Sequence, residues 1–422
     1  MSSHYNYKIL EFSIETPSGY IDLSSTVSAI DYIENILSPA TYVTVVITNT
    51  SGLFSKLKLR GGEKVRLIIE QDATKLKFSL DDNNTYYVYS ISNNTSESTR
   101  ELFILDLVPE EIFSNETSRV FRRYDKTLDD TVTKILKEEL KTTRYLSSNI
   151  EKSVNAYSFM GNAKKPFTVL SWISPKGIPQ TPRGTSSPEA GTAGFLFYEN
   201  KEGYNFKSVD SLFDENRNPK VTYSYSEIVP GPSDPRSNFR IITTPTFSKN
   251  VNIIDNLRIG MYSSLNYFFD TNTRKFYQYT YKLSSSYNIM NHANKDDSPE
   301  IPKGLQDSPS RLMVKMLDNG QMDKSGKLEK PDKRMEYQAQ SVSRYNLLFS
   351  QSLGITVPLN LNLTVGEVIN IEFGKTTKEN SQKGLRDKNK SGKYIISKLK
   401  HTFTGTKALT GMELVRDSYG VA

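Results

Sequence analysis

Few residues in this sequence could carry chemistry, and their spacing argues against it. Zero cysteines exclude thiol nucleophiles, Cys-ligated zinc, iron–sulfur clusters and disulfides. A multi-histidine metal site would need all three histidines, His4, His292 and His401, to converge. The run Gly320–Leu328 (GQMDKSGKL) has five residues between its glycines and a Leu after its Lys. A phosphate-binding loop needs four, then Ser or Thr to hold magnesium. Asp387-Lys-Asn389-Lys-Ser391-Gly392 opens like a calcium loop, but Lys398 stands where a bidentate Glu must close it, and the lysines repel a cation. The adjacent carboxylates Glu110/Glu111, Asp129/Asp130 and Glu138/Glu139 do not face one common bond as a glycosidase pair must, and read as solvated faces. Neither G-x-S-x-G nor H-E-x-x-H occurs. Trp172 is expected in the core rather than as a ligand platform, and His401 as a packed or interface histidine. No catalytic, metal or cofactor-binding residue is assigned, and the chain is expected not to be an enzyme.

Charge offers a weaker signal. The 422 residues carry 54 Lys+Arg against 47 Asp+Glu, a net +7, too dilute for a dedicated DNA reader. The basic groups concentrate in Lys375–Lys393, which includes Lys383, Lys388 and Lys390. This reads as a solvated hairpin tip, or as a loop facing nucleic acid or an acidic protein partner. The most apolar window, Ala40–Ile47, is far short of the ~20 residues that span a bilayer. The start, MSSHYNYKILEF, lacks the charged and apolar regions of a signal peptide, so a soluble protein made in the cytoplasm is expected.

The elements that would position these groups are mostly strands. Hydrophobic content is only 36%, shifted to 25 Tyr and 20 Phe, a composition that favours β structure. Between Tyr5 and Val108 about six short strands follow one another: Tyr7–Ile14, Ser28–Leu37, Thr41–Thr48, Lys64–Glu70, Tyr86–Ile91 and Glu101–Val108. No convincing helix interrupts them, which indicates a barrel or sandwich. The period then changes. In Thr127–Thr142, Leu128, Val132, Ile135, Leu136 and Leu140 share one helical face. A second helix is expected from Pro166, burying Phe167, Leu170 and Ile173. Pro175–Gly194 is a long Pro/Gly/Ser loop, of a length that is usually functional or disordered. Pro230–Pro245 reads as a boundary, Val251–Met290 as aromatic hairpin strands, and His292–Lys333 as a polar, charged stretch. A third helix, Met335–Phe349, precedes strands to the end.

The most informative feature is internal. Leu57-Lys-Leu59-Arg-Gly-Gly62-Glu63-Lys-Val65-Arg-Leu67 aligns with Leu361-Asn-Leu363-Thr-Val-Gly366-Glu367-Val-Ile369-Asn-Ile371. Downstream, Tyr87-Val-Tyr-Ser90 matches Tyr394-Ile-Ile-Ser397, and Asp106-Leu107-Val108 matches Glu413-Leu414-Val415. Duplication of one β-barrel domain accounts for this, the second copy being interrupted by or following a large insertion. Gly62 and Glu63, with Gly366 and Glu367, mark the repeat.

A duplicated barrel with an α/β piece between its copies resembles the central baseplate hub of contractile-tailed bacteriophages. The hub portion of type VI secretion spike proteins is similar. The segments carrying the resemblance are Ile30–Leu37, Leu57–Glu63, Phe197–Phe206, Val365–Phe373, Gly392–His401 and Leu414–Ser418, in order over nearly the whole chain. It implies a mainly β fold with α+β insertions and two tail-tube-like antiparallel β-barrels. The first barrel would take residues 1–112 and an α+β domain 113–217; a discontinuous second barrel would take 218–245 and 335–422, around an inserted domain, 246–334. The resemblance further implies a homotrimer whose six barrels form a pseudo-sixfold ring joining a sixfold tail tube to a threefold spike, with a channel for genome passage. Expected partners are the chain itself, the central spike protein, the tail tube or tube-initiator protein, baseplate wedge proteins and the tape measure protein. DNA would pass without specific binding, no membrane would be entered, and the site of action would be the virion tail. The alternatives are a tail-associated carbohydrate-binding adhesin, which would use the tyrosines, and a peptidoglycan-degrading tail enzyme, which would need converging carboxylates.

Overall fold

Strict alternation sets the first strands. In Lys64–Gln71, Val65, Leu67 and Ile69 turn inward and are fully buried, so a one-residue slip would expose the whole apolar face. The computed structural model describes residues 5–49, 57–97, 100–180, 191–214, 217–225, 234–249, 252–271, 273–294, 305, 307–317, 331–375 and 386–419. Lys383 and the run Gly320–Leu328 therefore lie outside the described residues, as does most of the loop between Pro175 and Gly194.

Eight strands form the first unit: β1 (Tyr7–Thr16), β2 (Gly19–Asp22), β3 (Val27–Asn35), β4 (Tyr42–Asn49), β5 (Lys64–Gln71), β6 (Lys77–Leu80), β7 (Tyr86–Glu97) and β8 (Arg100–Pro109). Phe12, Ile30, Val45, Leu67, Phe103 and Leu105 fill its core at zero exposure, each contributing about 1.5–3 kcal/mol by leaving water. Two short strands, β9 (Arg123–Tyr124) and β10 (Phe159–Met160), then pair with each other. Around them lie helices Glu110–Thr117, Leu128–Glu138 and Pro166–Ile173 and the hairpin of β11 (Phe195–Asn200) and β12 (Gly203–Ser208). The five apolar residues expected on one helical face, Leu128 to Leu140, are all buried, as are Phe167, Leu170 and Ile173. Helix Glu110–Thr117 was not expected from its polar sequence. Its Glu111 is buried against Arg144 at 3.0 Å, which corrects the reading of Glu110/Glu111 as a solvated pair.

The remaining strands are β13 (Thr222–Tyr225), β14 (Thr246–Lys249), β15 (Ser263–Asp270), β16 (Lys275–Lys282), β17 (Arg311–Met316), β18 (Gln351–Pro358), β19 (Val368–Phe373), β20 (Gly392–Thr404) and β21 (Lys407–Arg416). Helix Pro331–Leu348 precedes β18, close to the expected span. β15, β16 and β17 make a separate sheet, and β17 lies inside the stretch read as merely polar and charged. The eight strands of the first unit join β14 and β18 to β21 in one sheet in the order β14-β18-β21-β20-β3-β4-β8-β7-β5-β1-β2, with β6 on β5, β19 beside β20 and β13 beside β19. The fold is mainly β and antiparallel, with helices inserted between the strand sets. Among the described residues no pairing closes either strand set into a ring. The two sets meet where β20 runs antiparallel to β3 through seven residue pairs, from Lys398 opposite Asn35 to Thr404 opposite Ala29.

The internal order repeats. β3-β4-β8-β7 in the first set has its counterpart in β14-β18-β21-β20 in the second, with β5 and β19 pairing the same hairpin strand. One difference is clear: β5 also pairs with β1 antiparallel, whereas β19 takes β13 in parallel.

Candidate functional site

The Gly-Glu repeat becomes two turns with the same hydrogen bonds. Gly62 N donates to Val88 O at 2.7 Å and Val88 N returns to Glu63 O at 3.0 Å; Gly366 N donates to Ile396 O at 2.9 Å and Ile396 N to Glu367 O at 3.0 Å. Both glycines hold a positive φ, +91° and +83°, which side-chain-bearing residues rarely adopt. Each Glu side chain folds back on its own turn. Glu63 accepts from Arg60 N at 2.7 Å and Gly61 N at 3.0 Å, and Glu367 accepts from Thr364 N at 3.0 Å. Glu367 also takes an ion pair from Lys220. The motif is thus a self-capped entry into a strand, a positioning device rather than a reactive site.

The match extends to a bulge. β7 shifts register against β8 between Val88 and Ser90, opposite Leu107 and Asp106. β20 shifts against β21 between Ile396 and Lys398, opposite Leu414 and Glu413. Asp106-Leu107-Val108 and Glu413-Leu414-Val415 occupy the same places. The Tyr87/Tyr394 alignment is corrected by one residue: Tyr87 faces Val108 as Ile395 faces Val415.

The two turns are not in equal surroundings. A Cβ at Gly62 would meet nothing within 4 Å, whereas one at Gly366 would lie 2.3 Å from the Tyr198 hydroxyl. The second turn is pressed onto the junction between the strand sets. There Glu34, fully buried on β3, accepts from Val365 N at 2.8 Å, Tyr32 Oη at 2.8 Å and Lys201 N at 2.7 Å. Glu199 on β11, also fully buried, accepts from Thr41 N at 2.8 Å and pairs with Arg144 at 2.7 Å. Burial is the largest influence on both carboxyls and, against their hydrogen bonds, pushes each up to about 7. Sequence reasoning passed over these two residues. A usable signal existed, because Glu34 continues the inward phase of Ile30 and Tyr32.

A second buried network ties the chain's end to its middle. Arg344, at zero exposure on helix Pro331–Leu348, reaches Asp417 at 2.9 Å, Asp210 at 2.9 Å and Asn291 O at 2.6 Å. His292 Nδ1 lies 2.8 Å from Asp417. Burial works against the charge of Asp417, but His292 and Arg344 outweigh it and hold the carboxyl down at about 2.

The basic tip is anchored from below. Arg416, fully buried, donates to the carbonyls of Ser391, at 2.8 Å, and Asn389. A guanidinium therefore lies directly beneath the Asp387–Gly392 turn, a further positive charge against a cation there. Lys388 and Lys390 are exposed, and Lys390 lies 3.7 Å from Asp387. Among the described residues, no cluster of three His, Cys, Asp or Glu could hold a metal, and no helix is long and apolar enough to cross a membrane. His401 packs in the β20–β3 seam, 3.0 Å from Thr410 Oγ1, and burial, with a contribution from Lys201, lowers it to about 3. Trp172 corrects expectation: it is 46% exposed, stacked edge-on against Phe159 and capped by Lys176 at 4.7 Å.

No protein-family model matches the chain, and no curated protein matches it by sequence. Solved structures match in shape. A tail protein from Neisseria meningitidis MC58 aligns over 98% of this chain and 97% of its own, at TM-score 0.53 and 13% identity. The 43 kDa tail protein of prophage MuSo2 from Shewanella oneidensis aligns over 96% and 98%, at TM-score 0.54 and 8% identity. A looser likeness, TM-score 0.44 at 11% identity over 99% of this chain and 78% of the other, is to an E. coli component of the type VI secretion system. Over nearly its whole length the chain has the fold of the two tail proteins.

Proposed function

We propose that this chain is the structural baseplate hub of a contractile phage tail, acting as a homotrimer in the virion. The observation that carries this is the repeated strand order with its two identically bonded Gly-Glu turns, on a fold shared with two tail proteins. A closed ring joins partners of different order when each subunit carries two near-equivalent units. Three chains with two units each present six similar positions to a sixfold tube and three identical ones to a central spike. In this proposal residues 1–112 form the first unit and 218–245 with 335–422 the second, while 113–217 and 246–334 are additions outside the repeat. Glu34 fixes the first unit against the second through Val365, and Glu199 fixes it against the 113–217 addition through Thr41, as a ring of fixed geometry requires. Partners are then the spike, the tube or its initiator, wedge proteins and the tape measure, with DNA passing through the ring unbound. The chain's role is mechanical rather than catalytic.

Light-scattering mass of the full-length protein tests the proposal. A trimer is expected; a monomer at every concentration, and also in the presence of a spike protein, overturns it.

A further inference from the structure

One face of the β11–β12 hairpin carries polar groups that a mechanical role does not use. Tyr198 stands directly opposite Asn205 across the hairpin, and Lys207, two residues on, lies on the same face. With Asn149, the short helix Val209–Leu212, Arg217 and the second Gly-Glu turn, this face walls a pocket of about 350 Å³. Small-molecule sites span roughly 300–1,000 Å³, so the space suits a compact ligand.

The groups with bonding capacity to spare are neutral. Tyr198 and Asn205 are buried, at 2% and 3% exposure. Among the described residues the Tyr198 hydroxyl has no hydrogen-bond partner. Burial raises its pKa, so it keeps its proton and can donate as well as accept. The Asn205 amide gives its N–H to Gly203 O at 2.9 Å, which fixes the amide's orientation and leaves Oδ1 as the free acceptor. The Asn149 amide nitrogen is buried and unpartnered. Polar groups so placed cost free energy until something bonds them. The charged groups, in contrast, are mostly engaged. Arg217 donates to Leu212 O at 3.2 Å and Gly366 O at 3.1 Å, Lys207 donates to Ser148 O, and Glu367 pairs with Lys220. Lys207 and Arg217 stand against Glu202 and Glu367, so the wall has no net charge.

We propose that this pocket binds a neutral polyol, a single sugar ring, through the Tyr198 hydroxyl and the Asn205 and Asn149 amides. Every hydroxyl of a sugar both donates and accepts, which matches a phenol, an amide oxygen and an amide N–H. An inorganic anion would meet two carboxylates and the Asn205 oxygen, and a cation would meet Lys207 and Arg217. An apolar ligand would leave all three neutral groups unbonded. Gly366 has a second use here, because a side chain at that position would intrude on the Tyr198 hydroxyl. Sugar binding goes beyond the hub reading and does not depend on the number of chains in the assembly.

Saturation-transfer NMR on the full-length protein tests this with glucose, galactose, mannose and N-acetylglucosamine as probes at millimolar concentration. Glycine and inorganic phosphate serve as the zwitterionic and anionic comparisons. Transfer to the ring protons of at least one sugar is expected, and titration gives its dissociation constant. Tyr198→Phe and Asn149→Ala should each weaken that binding about three- to tenfold, the loss of one neutral hydrogen bond. Neither change removes a hydrogen bond from the fold, so both variants should keep the parent circular dichroism. Tyr89→Phe, at an exposed tyrosine on β7 outside the pocket, should leave binding unchanged. Binding of short oligosaccharides of the same sugar would mark a glycan end as the ligand, and binding of the free sugar alone would mark a free one; both support the pocket. No transfer to any sugar overturns it. So does transfer that survives both pocket variants or disappears with Tyr89→Phe, and so does tighter binding of glycine or phosphate than of every sugar.

Discussion

Replacing each repeat glycine by alanine separates backbone demand from packing demand. Gly62 and Gly366 both sit at φ near +90°, and a residue with a Cβ held at such an angle costs roughly 1–2 kcal/mol. For Gly62→Ala that is the whole expected loss, because the new methyl meets nothing within 4 Å. At Gly366 the methyl would lie 2.3 Å from the Tyr198 hydroxyl and 3.1 Å from its ring carbon. Tyr198 is itself buried at 2% exposure and has little room to retreat. Overpacking of this kind adds about 1–3 kcal/mol, so Gly366→Ala should cost about 2–5 kcal/mol in all. Urea unfolding followed by circular dichroism measures both variants. Removing the hydroxyl with Tyr198→Phe should restore most of the extra loss in Gly366→Ala and none in Gly62→Ala. Equal losses at the two glycines, or no rescue by Tyr198→Phe, would refute the view that the second turn is pressed onto the junction while the first is not.

Two further outcomes concern charge. The folded chain holds the protons of Glu34 and Glu199 up to about 7, whereas the unfolded chain releases them near the ordinary 4.5. Between those values the folded state binds more protons, so their contribution makes stability fall as pH rises and level off above about 7. Asp417 acts oppositely: its contribution is present above its ordinary 3.8 and is lost as pH falls towards about 2. Denaturation midpoints from pH 2 to 8 check both, and Glu34→Gln should flatten the slope between about 4.5 and 7. Replacing Lys383, Lys388 and Lys390 together by Ser should leave trimer mass unchanged, since Lys388 and Lys390 are exposed and such charges contribute only ~0–1 kcal/mol even when paired. Attachment to a neighbouring tail component should weaken most at low salt, as a pull-down salt series would show; loss of the trimer would contradict this placement of the tip.

What was legible in the sequence followed from period and from glycine. The face from Leu128 to Leu140 was plain because five apolar residues recur at helical spacing, and the Gly-Glu turns because their backbone needs survive in the residue types. The bulge after Val88 and Ile396 was not legible, since an inserted residue looks like any other in one sequence, and the tyrosine alignment was one residue out. β17 was missed because RLMVKM lacks a polar–apolar alternation. Leu312, Val314 and Met316 face outward at 59–69% exposure, where alternation would place polar groups. Arg344, Glu34 and Glu199 were missed because their partners lie up to 331 positions away, as Val365 does from Glu34. The β3–β20 seam is equally remote, with Asp31 and Thr402 separated by 371 positions.

The central claim is that one chain supplies two near-equivalent units to a closed ring. Electron microscopy of the purified full-length assembly, averaged without imposed symmetry, tests it most directly. Threefold rings showing six similar lobes around an open channel are the expected result. Isolated chains, open filaments, or closed rings whose number of chains is not three would contradict it.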